Sequence, residues 1–169
     1  MHIREEAPGE IESIYRVNEQ AFETNAEARL VDLLRERRKA VISLIAKVGE
    51  VIVGHILFSP VSIEPAAENW NALGLAPLAV IPRMQRQGIG GELIKAGLQC
   101  CQELGFEMVV VLGHPTYYPK FGFTKASDYG LANEYQADEA FMVIGIQPGV
   151  LKKYAGLVKY APEFNEIDF

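Results

Sequence analysis

Leu78-Ala79-Val80-Ile81-Pro82-Arg83-Met84-Gln85-Arg86-Gln87-Gly88-Ile89-Gly90-Gly91 joins an apolar run to an amphipathic one. Upstream, Trp70 to Ile81 is mostly apolar with Pro77 inside it. That pattern predicts a strand with a bulge or splayed edge, since proline has no amide to donate to a neighbouring strand. Downstream, Gly88 to Leu104 sets Ile89, Leu93, Ala96, Cys100 and Leu104 on one helical face, with Gly105 as the stop signal. The junction therefore reads as strand, glycine-bearing turn, helix. Consecutive amides in such a turn, aimed by the positive end of a helix dipole, can wrap a pyrophosphate because no side chain hinders its approach. Arg83 and Arg86 add positive charge where phosphates would sit.

Two familiar phosphate loops do not fit these residues. A dinucleotide fingerprint would need glycine at position 93, where Leu93 stands, and a P-loop would need Gly-Lys-Ser/Thr, whereas Gly91-Glu92 follows Gly90.

Outward from the junction, residues 8–22 carry Ile11, Ile14, Tyr15, Asn18, Ala21 and Phe22 at helical spacing, with Pro8 suited to the first turn. Thr24-Asn25-Ala26-Glu27 reads as a capping box opening a second helix over about 25–38. Residues 41–47 and 51–59 are rich in Val and Ile around Val48-Gly49-Glu50, which predicts an antiparallel hairpin. A polar loop follows near 64–69. Beyond the third helix, Met108–Leu112 is an apolar strand, a short turn or helix falls near Pro115–Lys120, and Phe141–Ile146 is another strand. The order predicts one mixed α/β domain spanning 1–169.

The chain has 169 residues, 49% hydrophobic and 22% charged, enough for one well-buried core. Its 16 Lys and Arg against 22 Asp and Glu leave a charge of -6, so nucleic acid is not the expected partner. The first residues lack an apolar signal region and no apolar run nears the roughly 20 residues of a membrane span, so a cytoplasmic protein is expected. Three histidines and the adjacent pair Cys100 and Cys101 show no metal-ligand spacing, and the cysteines read as helix-packing residues. The cluster Arg35 to Lys39 reads as a solvated helix end. Apolar residues in the 150–169 tail could pair subunits as a homodimer.

The loop Gln85-Arg86-Gln87-Gly88-Ile89-Gly90 resembles the Gln/Arg-x-x-Gly-x-Gly/Ala loop of the GNAT superfamily, the acyl-coenzyme A dependent N-acyltransferases. Tyr117-Tyr118-Pro119-Lys120-Phe121-Gly122-Phe123 resembles the Tyr-x-x-x-Gly-Phe ending of that family, with Tyr118 in the tyrosine position. Val53 to Pro60, Gly113 to Tyr118 and Lys159 to Phe164 look like the YhbS-type branch of bacterial acetyltransferases. The resemblance spans most of the chain. It implies a mixed, mostly antiparallel sheet with splayed central strands, flanked by helices.

It also implies acetyl transfer from acetyl-coenzyme A to an amine, small-molecule or peptide, by direct attack in a ternary complex without a metal. By position, Leu78, Ala79 and Val80 take the pantetheine role and polarise the thioester, and Gln85, Arg86, Gln87, Gly88, Ile89, Gly90 and Gly91 take the pyrophosphate. His114, Tyr117 and Phe121 lie at the cofactor edge, and Tyr118 protonates the departing thiolate. An amine resembling lysine must first lose a proton, which costs roughly 4–5 kcal/mol at pH 7. Many relatives carry a Glu on the strand before the loop, but Leu73-Gly74-Leu75-Ala76-Pro77 has no carboxylate. Glu23, Glu27, His55 and His114, or a water chain, are the candidate bases. The missing carboxylate also admits a non-catalytic acyl-coenzyme A sensor, and a protein N-terminus or lysine is an alternative acceptor.

Overall fold

The computed structural model describes residues 1–169. Its ten strands are β1 (His2–Glu5), β2 (Ile42–Val48), β3 (Val51–Pro60), β4 (Ser62–Glu64), β5 (Ala72–Val80), β6 (Met108–Leu112), β7 (Thr124–Lys125), β8 (Leu131–Asn133), β9 (Phe141–Gly145) and β10 (Gly156–Lys159). The helices are α1 (Ile11–Ala21), α2 (Ala26–Glu36) and α3 (Ile89–Glu103). In hydrogen-bonding order the main sheet runs β1-β2-β3-β5-β6-β9-β7, and a three-stranded sheet runs β4-β10-β8. The chain divides into two compact units, one of residues 1–59, 76–97 and 162–169, the other of 60–75 and 98–161.

In the first unit β2 and β3 form the expected antiparallel hairpin. Residues 52–59 of β3 are all buried, which its near-continuous apolar sequence allows because both faces are covered. Successive side chains of a strand point to opposite faces. A Cβ on Gly54 would lie 3.0 Å from Leu93 and 3.2 Å from Ile89 of α3, whereas His55 turns the other way, to Asn18 of α1. Phe58, on the Gly54 side, presses its ring onto Gly97 so closely that a Cβ there would overlap it.

That contact corrects the expected face of α3. Ile89, Leu93, Ile94, Gly97 and Cys101 face inward, Ala96 and Cys100 lie at the margin, and Leu104 is 60% exposed. The helix turns its smallest residue to the largest neighbour, which rotates the buried stripe away from the one hydrophobicity alone selects. Burial pushes the Cys101 thiol up to about 12, consistent with an inert packing residue.

Other local expectations are corrected as well. The first helix opens as a short 3₁₀ turn, Pro8–Glu10, and α1 buries Ile14, Val17 and Asn18 while leaving Ile11 exposed. At α2 the cap residue is Asn25, and Thr24 Oγ1 accepts the Ala26 amide at 3.2 Å rather than closing a capping box with Glu27. The Arg35–Lys39 cluster is engaged: Arg35 binds Glu6 at 2.8 and 3.0 Å, and Lys39 and Arg37 reach the buried Glu163 at 2.8 and 3.3 Å.

His55 is fully buried, with Nδ1 3.1 Å from Asn18 Nδ2 and Nε2 2.8 Å from Ser43 Oγ. Ser43 in turn donates to Glu6, which Arg35 holds. Desolvation takes the ring's pKa from 6.5 down to about 3. The unfolded ring therefore binds a proton below pH 6.5 that the folded ring refuses until about pH 3. Its contribution to stability is complete above 6.5 and lost as the pH falls through that window. Glu6 acts with the same sign at lower pH. Burial raises its carboxyl, but hydrogen bonds from Arg35 and Ser43 outweigh this and leave it below the usual value. Urea unfolding is expected to show stability lower by about 1–1.5 kcal/mol at pH 5.5 than at 7.5. Equal stabilities would show that the ring carries its proton inside the fold.

In the second unit, β5 pairs in parallel with β6 from Ala72↔Met108 to Leu75↔Val111, and β6 pairs antiparallel with β9. The ladder with β6 ends at Leu75, just before Pro77, which meets the expectation of a splayed strand. Much of the apolar tail is paired within the chain. β10 pairs antiparallel with β4 and parallel with β8, and Val150, Val158, Tyr160 and Ala161 are buried within the chain. No helix is long and apolar enough to cross a membrane.

Candidate active site

In the first unit the site begins on the end of β5. Ala79 is buried with its carbonyl near Gly54, while Leu78 and Val80 are half-buried. The Ile81 amide donates to Val53 of β3 at 2.9 Å, which fixes the strand end. The chain then turns through a 3₁₀ segment, Pro82–Met84, whose close is the bond from the Gln85 amide to Pro82 at 3.3 Å.

From there the backbone enters α3 through two left-handed residues, Arg86 at φ +63 and Gly88 at φ +88. Gly88 meets that demand without strain, whereas Arg86 holds it at a cost of about 1 kcal/mol or more. The first helical bond at this end runs from the Glu92 amide to the Gly88 carbonyl at 3.0 Å. The amides of Gly88 through Gly91 precede that bond, at the position where a helix leaves its first amides without an intrahelical partner. Arg83, Gln85, Arg86, Gln87 and Gly88 are exposed, and Ile89 turns its side chain into the core, leaving only its amide for a ligand. Gln85 Nε2 donates to the Val80 carbonyl at 2.9 Å, and Gln87 Nε2 to Arg83 at 3.3 Å, so both side chains brace the turn.

In the second unit β6 runs into Gly113 and an exposed His114, whose carbonyl accepts the amides of Tyr117 at 3.1 Å and Tyr118 at 3.4 Å. Tyr118 opens the short 3₁₀ turn Tyr118–Phe121, which Gly122 ends at φ +100. Its ring is 8% exposed, edge-on to Tyr117 at 5.1 Å and to Phe123 at 5.7 Å, and lies where a Cβ on Gly113 would overlap it. Phe121 packs on Tyr117 at 5.2 Å. Burial, with a smaller contribution from Tyr117, pushes the Tyr118 phenol up to about 12.

A second tyrosine, not among the expected site residues, belongs to this cluster. Tyr160, 6% exposed, stacks against Gly74, where a Cβ would lie 2.9 Å from its ring. Desolvation raises its phenol, the neighbouring Tyr118 and Tyr135 hydroxyls raise it further, and the Leu112 amide acts in the opposite direction. The Gly113 amide faces β9, donating to Ala140 at 3.0 Å, so alternation turns the Leu112 amide away from β9. Tyr160 thus lies beside a β6 amide at the level where the β5 ladder has just ended.

Of the candidate bases, His55 does not fit: it is sealed, hydrogen-bonded at both ring nitrogens and held neutral. Glu23 is exposed between α1 and α2, and Glu27 is half-buried in the first turn of α2. No group of three or more His, Cys, Asp or Glu is arranged to hold a metal ion.

A glycine-bearing turn with free amides at a helix entry, after a strand that loses its partner, is the arrangement the family resemblance requires. Residues 2–126 match the family model described as an acetyltransferase (GNAT) domain. The N-acetyltransferase YhbS of Escherichia coli (strain K12) is 36% identical over 167 residues, covering 98% of this chain and 99% of that protein. The chain belongs to the GNAT acetyltransferase family. The crystal structure of the GNAT protein YhbS from Escherichia coli in complex with CoA superposes with a TM-score of 0.92 at 35% identity, over 97% of this chain and 91% of that one. A GNAT acetyltransferase from Brucella melitensis, in complex with acetyl-CoA, superposes with a TM-score of 0.80 at 33% identity, over 96% and 97% of the two chains. The protein is thus a GNAT N-acetyltransferase with the mixed parallel and antiparallel sheet of that fold.

Proposed function

We propose that this acetyltransferase binds acetyl-coenzyme A through the turn between β5 and α3 and acetylates a primary amine, acting in the cytoplasm as one catalytic domain of 169 residues. The observation that carries this reading is the left-handed turn at Arg86 and Gly88 that leads into α3, with the amides of Gly88 to Gly91 ahead of the first helical bond. When bound, acetyl-coenzyme A supplies an activated thioester that an amine attacks directly.

The chain's own groups then have distinct tasks. The amides of Arg86 to Gly91 take the pyrophosphate, and the exposed Arg83 and Arg86 guanidinium groups add charge near it. The backbone of Leu78 to Val80 pairs with the pantetheine arm, and an amide there stabilises the charge developing on the thioester oxygen. Gln85 Nε2 fills one lone pair of the Val80 carbonyl, which leaves the other for the pantetheine arm. His114, Tyr117 and Phe121 line the cofactor edge. Tyr118 donates a hydrogen bond to the departing sulfur. Full proton transfer from a phenol near 12 to a thiolate of pKa about 8.5 would cost about 5 kcal/mol, so hydrogen bonding is its main work.

The test is calorimetric titration with acetyl-coenzyme A followed by thiol release across a panel of primary amines. Binding in the micromolar range and turnover of at least one amine are expected. Absence of binding removes the reading, and binding without turnover of any amine favours an acyl-coenzyme A sensor.

A further inference from the structure

Within the first unit, one side chain ties the turn between β5 and α3 back to the strand. Ile81 and Ile89 bury the two ends of this turn, and of the seven residues between them only Met84 is half-buried, the rest being exposed. Its other hydrogen bonds stay inside it: the Met84 amide donates to Ile81 at 2.9 Å, the Gln85 amide to Pro82 at 3.3 Å and Gln87 Nε2 to Arg83 at 3.3 Å. Each of these closes over three or four residues and fixes the shape of the turn itself. The bond from Gln85 Nε2 to the Val80 carbonyl at 2.9 Å is different. It reaches back five residues, leaves the turn and ends on the last residue of β5.

The conformation around Gln85 shows what the bond holds. Gln85 is extended, at φ −70 and ψ 159, and Arg86 beside it is left-handed at φ +63. A non-glycine residue keeps such a conformation where the surrounding structure over-determines it. The carboxamide uses one lone pair of the Val80 carbonyl and leaves the other to the strand end. Two backbone surfaces with different tasks meet at this bond: Leu78 to Val80, read above as the pantetheine partner, and the amides that open α3, read as the pyrophosphate partner. A ligand that engages both gains from its second contact only as far as the spacing of the two surfaces is fixed. The Gln85 bond acts on that spacing and not on either surface alone.

We propose that the Gln85 carboxamide is a positioning residue: it clasps the turn to the end of β5, so that the pantetheine and pyrophosphate parts of one acetyl-coenzyme A are held together at a set distance. This rests on the reading of β5 and the turn as the cofactor's seat. Gln85 acts through Val80 and does not touch the ligand. Its contribution is therefore felt by a ligand long enough to join the two surfaces, and not by a fragment that meets only one.

The clasp can be tested without knowing the acceptor. Acetyl-coenzyme A, S-acetylpantetheine and ADP are titrated into the wild type, Gln85→Ala and Gln85→Met, the first by calorimetry and the two weaker fragments by NMR at millimolar concentration. Gln85→Ala is expected to weaken acetyl-coenzyme A about fivefold, the worth of one exposed hydrogen bond. Each fragment is expected to bind within about 1.5-fold of the wild type, because it meets one surface only. The melting temperature should hold, since the side chain is exposed. An equal loss for ADP would mean that Gln85 touches the pyrophosphate, and an equal loss for S-acetylpantetheine that the effect lies in the strand. Either overturns the proposal, as does an unchanged affinity for acetyl-coenzyme A or failure of either fragment to bind the wild type. Should Gln85→Ala lower the melting temperature, Gln85→Met decides, because it keeps the length of the side chain without its amide. It must reproduce the selective loss, and unchanged binding overturns the clasp. If the wild type does not bind acetyl-coenzyme A, the cofactor reading and the clasp fall together, an outcome distinct from failure of the clasp alone.

Discussion

Replacement of Tyr118 by Phe is expected to lower turnover about 100-fold while leaving the affinity for acetyl-coenzyme A within about twofold. The change removes one hydroxyl and keeps the ring, so the contacts with Tyr117, Phe123 and Gly113 persist and the melting temperature should hold. The loss falls on turnover because, in the role proposed for it, the hydroxyl meets charge that exists only as the carbon–sulfur bond breaks. The sign of the pH dependence follows from burial. The working form is the protonated phenol, and a pKa near 12 keeps it protonated throughout the neutral and mildly alkaline range. Tyr118 therefore causes no fall in turnover between pH 8 and 10. Steady-state kinetics at saturating amine read both quantities, and a loss of less than threefold would remove Tyr118 from the reaction.

Gly97→Val is expected to destabilise the protein by about 3 kcal/mol, a fall in melting temperature of about 6–12 °C. By helix propensity alone the substitution would be mildly favourable, since glycine inside a helix costs up to about 1 kcal/mol relative to better formers. The Phe58 ring reverses the sign: it is fully buried, stands where the new side chain must go, and has no solvent side into which to move. Combining Gly97→Val with Phe58→Leu should recover part of the loss, because the smaller side chain vacates the overlap. Additive losses in the double variant, measured by denaturant unfolding, would show that the two residues do not meet.

The junction at residues 78–91 was legible because its chemistry is local. A proline inside an apolar run, glycines at a helix entry and a stop at Gly105 each act on their own few bonds, and strand, turn and helix stand where those residues place them. The inward face of α3 was not legible. Hydrophobic spacing chose Ala96, Cys100 and Leu104, but the helix is seated by Phe58, a residue distant in sequence. His55 likewise looks the same in sequence whether it takes a proton from a substrate or lies sealed between Asn18 and Ser43.

The strands β4, β8 and β10 are three or four residues long, too short for a periodic signal, and form only because they find one another. Their pairing takes the apolar tail from the surface into the chain, where Tyr160 packs on Gly74. Local bonding chemistry thus specified the strand, the turn and the helix entry, and the resemblance of the motifs they carry pointed to the acetyltransferase family. Which face of a helix is buried and which histidine is silenced depend on contacts between residues far apart in the chain, and those exist only once the sheets have closed.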